Sequence, residues 1–141
     1  MFLVERLIAA AAIFLAANFS MAYINPSAGG AGGGLIFPFA TDAPTRWIFG
    51  SLQTGPLALL VPTMIALACV SVLALFLAFL ATFGLWVPDH MWRQLVLVGV
   101  ACLVVLLVLH PTVWIALPSA VCAGLAWVAW TSVWTPAAVA A

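Results

Sequence analysis

No Asp, Glu, Lys or Arg occurs from Trp47 to Pro88, and none from Gln94 to Ala141. A water-soluble fold spreads charged side chains over its surface to stay dispersed. Two uncharged tracts, each longer than the roughly 20 residues of one bilayer crossing, make lipid the solvent of this chain. The composition agrees: 68% of the residues are hydrophobic and 4% are charged. The fold class that follows is an all-α integral membrane protein, because a helix satisfies its own backbone groups in hydrocarbon.

The same numbers exclude other classes. The sequence contains no lysine, and Arg6, Arg46 and Arg93 balance Glu5, Asp42 and Asp89. Nucleic acid needs a concentrated basic footprint, and anionic lipid recognition needs a polybasic cluster; neither is present. A chain of 141 residues has no length to spare for a soluble module, so residues 1–141 are read as a single domain. Cys69, Cys102 and Cys122 are isolated within apolar segments, where they act as small packing residues. Their spacing favours neither a disulfide nor a metal site.

Four transmembrane helices fit the length. The first is expected from about Leu7 to Tyr23, with Pro26 ending it. A signal-peptide reading competes here, but the single Arg6 beside Glu5 makes a weak positive region, so the segment is taken as a crossing. The second runs from about Leu57 to Leu85, with Pro56 suited to its first turn and Pro62 bending its outer end. Between Arg93 and Trp134 lie about 40 residues, which at about 1.5 Å each exceed one bilayer. His110-Pro111-Thr112 is the best break, because proline lacks a donor and restricts the residue before it. The third helix is then expected from Trp92 to Leu109 and the fourth from Val113 to Trp134, kinked at Pro118, with a break nearer Leu117-Pro118 as the alternative.

Residues 25–55 form the outer connection. It opens on a glycine-rich run over 29–34 and continues through Leu35-Ile36-Phe37-Pro38-Phe39 and Arg46-Trp47-Ile48-Phe49. These stretches are too apolar for an exposed loop and too short to span, so the connection is expected to lie partly at the membrane interface or on a neighbouring protein. A flexible linker is the plainer reading of the glycines. Four crossings put both termini on one side with Arg6 and Arg93, opposite Arg46. The positive-inside tendency makes that side cytoplasmic, in a bacterial inner membrane.

The inner turn, Asp89-His90-Met91-Trp92-Arg93, is first a hydrated cap, with Asp89 capping the third helix or pairing with Arg93. Trp86 and Trp92 are read as aromatic anchors on either side of it. His90 is also a candidate contact for a quinone or pigment. His110, ending an otherwise apolar helix, either bonds carbonyls freed near Pro111 or ligates a haem iron or a bacteriochlorophyll magnesium through its imidazole. No protein metal site is expected.

At about 100° per residue, Ala116, Ala120, Gly124, Trp127, Trp130 and Trp134 share an arc of roughly 120° on the fourth helix. Its small half permits close helix approach. Its tryptophan half, Trp127 and Trp130, is wide enough for a lipid, quinone, carotenoid or partner helix, or is an aromatic belt. Asn18 is the most embedded amide and is expected to bond another helix. No acid or base lies within an expected core, which argues against a conducted ion or substrate. No nucleophile and base pair is legible, so no catalytic residue is assigned.

These features point to an accessory or structural subunit that stabilises larger integral membrane proteins, with photosynthetic or respiratory electron-transport complexes as suitable hosts. The alternative is a quinone-, haem- or pigment-binding redox subunit built on His110, His90, Trp127 and Trp130.

Overall fold

The computed structural model describes residues 2–21, 23–24, 58–109, 111 and 115–131. The connection expected over 25–55, together with His110 and Trp134, lies outside the described residues. Four α-helices are present among those described: α1 (Phe2–Met21), α2 (Val61–Thr82), α3 (Trp92–Leu109) and α4 (Ala116–Thr131). Short 3₁₀ turns at Ala58–Leu60 and Asp89–Met91 lead into α2 and α3.

The first three elements are long and apolar enough to cross a membrane, and the chain is a multi-span α-helical membrane protein. The fourth is shorter: its 16 residues rise about 24 Å, against a hydrocarbon core of about 30 Å. Only α3 has the expected bounds. Helix α1 starts earlier than expected and takes Glu5 and Arg6 into its first turns. Helix α2 stops at Thr82 rather than Leu85 because Gly84, with φ of +67°, turns the chain. The Gly84 N–H bonds the Ala81 carbonyl and the Leu85 N–H bonds the Leu80 carbonyl, a glycine C-cap that closes the helix.

Neither expected proline bend arises in a helix interior. Pro62 occupies the first turn of α2, where its missing N–H costs no helical bond. Pro118 lies in the first turn of α4, buried, and the next N–H, that of Ser119, bonds the Ile115 carbonyl at 3.1 Å. The helix break falls between Leu109 and Ala116, the interval that contains the expected His110-Pro111-Thr112 break, and Leu117-Pro118 lies inside α4.

The α2–α3 hairpin makes the broadest packing, α1 lies along α2, and α4 lies along α3, with further α1–α4 and α1–α3 contacts closing the bundle. Its core holds Ile13, Ala16, Met64, Leu75, Trp92, Leu103 and Leu125, among others. Gly99 makes the hairpin possible at this spacing. A Cβ there would meet Leu75 Cγ at 2.5 Å and the Ser71 carbonyl oxygen at 3.3 Å.

At that close approach three helices are tied by hydroxyls. Ser71 Oγ donates to the Gly99 carbonyl at 2.8 Å and lies 2.7 Å from Ser20 Oγ. With the Ser71 proton committed, the Ser20 hydroxyl supplies the shared one, and the Ala16 carbonyl at 3.2 Å competes for it. Both side chains are fully buried.

This node also sets the axial register of α1. Ser71 lies near the middle of α2, about 15 Å from Val61 and about 16 Å from Thr82 along the axis. Ser20 is the penultimate residue of α1, so α1 ends at mid-depth of its neighbour. Its other end reaches about 27 Å from the node, past the end of α2. Leu3, Val4, Leu7 and Ile8, on the face of α1 opposite Ile13 and Ser20, are exposed.

Candidate functional site

Helix α4 presents two faces with opposite roles. Pro118, Cys122, Leu125 and Ala129 are buried against the bundle. Taking about 100° per residue, their mean direction is roughly 190° from that of Ala116, Ala120, Gly124, Trp127 and Trp130. The expected arc thus points away from the chain's own helices. A Cβ built on Gly124 meets nothing within 4 Å, and Trp127 and Trp130 are 69% and 73% exposed. Among the described residues, the close helix contact envisaged along Ala116-Ala120-Gly124 is not made.

A second feature lies between α3 and α4. An open groove of about 440 Å³ is lined by Val104, Leu107, Pro111, Ile115, Ser119 and Cys122, with α3 valines and α4 alanines completing it. Its walls are almost wholly apolar. The volume lies within the roughly 300–1,000 Å³ of small-molecule pockets. Pro111, at one end, follows His110 in the chain. Neither His90, Trp127 nor Trp130 lines the groove. The sequence carried one signal for it, the helix break at Pro111 followed by small residues. Which face of α3 would meet that break was hidden by α3 being apolar all round.

The turn between α2 and α3 is the third feature. His90 is exposed in the Asp89–Met91 3₁₀ turn. Pro88 is the N-cap of that turn, which has no side-chain cap bond. The two tryptophans read as anchors have different fates. Trp92 is fully buried, and its Nε1–H donates to Thr82 Oγ1 at 3.0 Å, while Thr82 donates to the Ala78 carbonyl at 2.9 Å. Trp92 is therefore a core residue holding the hairpin closed. Trp86 is 97% exposed, with φ of +57°.

Among the described residues, Asn18 does not bond another helix as expected. Its Nδ2 donates to the Phe14 carbonyl in its own helix at 3.3 Å, and its buried Oδ1 has no donor. Cys69, Cys102 and Cys122 are free thiols. Among the described residues, no group of three or more His, Cys, Asp and Glu converges to hold a metal.

The structure therefore does not gather the sequence candidates into one site. It places Trp127 and Trp130 on the outward arc of α4 and His90 on the interhelical turn, with His110 outside the described residues. Compared with protein-family models, curated proteins and solved structures, the chain matches none.

Proposed function

We propose that the chain is a non-catalytic accessory subunit that packs beside larger integral membrane proteins and stabilises their assembly. The observation that carries this reading is the outward arc of α4. It combines an open, small-residue edge at Gly124 with two exposed tryptophans on one face of the helix. Small residues admit a partner backbone in a medium where lipid exclusion supplies little drive, and the tryptophans supply contact area beside it. Charges within the spans fall only at their ends, and the uncharged middles fit a subunit that conducts nothing. Photosynthetic or respiratory electron-transport complexes of a bacterial inner membrane suit it as hosts, with both termini cytoplasmic on the Arg6 and Arg93 side. The test is recovery of co-purifying membrane proteins from native membranes with Gly124→Leu: the reading expects them to be lost while the subunit still inserts.

A second reading rests on the α3–α4 groove. Its apolar walls and its position beside Pro111 suit the tail or ring of a quinone, haem, carotenoid or bacteriochlorophyll, with His110 as the polar contact. A visible absorption spectrum of the purified protein, compared with His110→Ala, tests it. A band that disappears in the variant while the protein stays assembled supports this reading.

A further inference from the structure

The turn from α2 to α3 is tightly organised up to one residue, and that residue is out of place on every internal criterion. Gly84 takes the left-handed conformation that the helix cap needs. The Leu85, Gly84 and Phe83 N–H groups all bond α2 carbonyls, and the Phe79 and Phe83 rings meet edge to face at 5.3 Å. On the other side, the Met91 N–H bonds the Pro88 carbonyl, and Trp92 is clamped to Thr82. Between these fixed ends stands Trp86, a bulky residue in the left-handed region with its side chain 97% exposed. For a bulky non-glycine residue that backbone is a true outlier. The Val87 N–H bonds the Leu85 carbonyl across it at 2.6 Å, but among the described residues the indole itself packs on almost nothing.

We propose that Trp86 is held out by this rigid turn to seat in the headgroup layer of the bilayer, setting the depth of the α2–α3 hairpin. Helix α2 has 22 residues and rises about 33 Å, so when one end meets a hydrocarbon boundary the other, at Thr82, meets the opposite one. Trp86 follows Thr82 directly outside that boundary, where an indole finds an apolar body and a polar partner together. Leu85, His90, Met91, Arg93 and Gln94 are also exposed at this end of the hairpin, a mixture of apolar and polar side chains. The occupant of this surface is thus lipid at the headgroup and acyl boundary, not a protein groove. This inference does not depend on the subunit role proposed above.

Full-length protein in phosphatidylcholine vesicles tests it. The tryptophan fluorescence lost on going from wild type to Trp86→Gly isolates the Trp86 component. That component should be quenched several-fold more by a lipid nitroxide near the headgroup than by one at the acyl terminus, and should be shielded from aqueous acrylamide. Trp86→Phe gives the same subtraction without altering backbone freedom. Because glycine suits this backbone, Trp86→Gly should also melt in detergent no lower than wild type. A Trp86 component quenched by acrylamide alone, or shielded from both quenchers by a protein contact, overturns the proposal. So does a Trp86→Gly protein that is markedly destabilised in detergent, which would mean the indole serves the fold.

Discussion

Ser20 Oγ on α1 and Ser71 Oγ on α2 lie 2.7 Å apart, and that contact places the C-terminal end of the first helix halfway along the second. Cysteines at these two positions, with Cys69, Cys102 and Cys122 replaced, are within reach of the ordinary disulfide geometry. Oxidation should cross-link Ser20→Cys to Ser71→Cys in high yield. A pair at Ser20 and Val61, which would meet if the two helices were flush, should stay reduced. The reverse yields would contradict the register described here.

The hydroxyl node also makes a stability prediction. Ser71→Ala removes the donor to the Gly99 carbonyl and the acceptor for Ser20. Interhelical hydrogen bonds in bilayers contribute about 0.6 to 1.7 kcal/mol, so a loss of that size is expected in reversible unfolding from mixed micelles. Gly99→Ala should cost more, about 1 to 3 kcal/mol, because its Cβ would overlap Leu75. Combining it with Leu75→Val should cost less than the sum of the two single changes.

At the hairpin end, Thr82→Val keeps the side-chain shape but leaves the buried Trp92 Nε1–H without its acceptor. The expected loss is about 1 to 3 kcal/mol, and Thr82→Ser, which retains the hydroxyl, should recover most of it. Equal stabilities for the two variants would show that the bond contributes nothing.

How far these features could be read beforehand depended on what marked them. The ends of α3 were legible because Arg93 and Pro111 punctuate the apolar run at both sides. The class of the chain was legible because charge is absent over long tracts. Packing faces were not. In water a helix advertises its buried side by contrast with a polar side, but these helices are apolar all round, so lipid-facing and core-facing positions look alike. Trp86 and Trp92 carry the same local signature, yet one is fully exposed and the other fully buried. The axial offset of α1 was equally hidden, since segment length says nothing about register. Gly99, a lone glycine in an apolar helix, was the one overlooked signal of close approach.

Topology offers a separate check on the proposed orientation. Cysteines at Ser27 and Ala137, in an otherwise cysteine-free protein, should react with an impermeant thiol reagent from opposite sides of the membrane, Ala137 from the cytoplasm. Labelling of both from one side would overturn the four-crossing arrangement. For the groove, Ala126→Leu extends a lining residue into the α3–α4 space. It should lower the content of any co-purified lipid, quinone or pigment if that groove is occupied.

The central claim, that the outward arc of α4 docks on another membrane protein, is tested most directly by comparing Gly124→Leu with Ala126→Leu. Gly124 faces open space and Ala126 lines an open groove, so both isolated variants should fold and melt in detergent close to wild type. The measurement is the yield of co-purifying membrane proteins from native membranes. The account predicts that Gly124→Leu loses them and Ala126→Leu keeps them. Full retention by Gly124→Leu would contradict it.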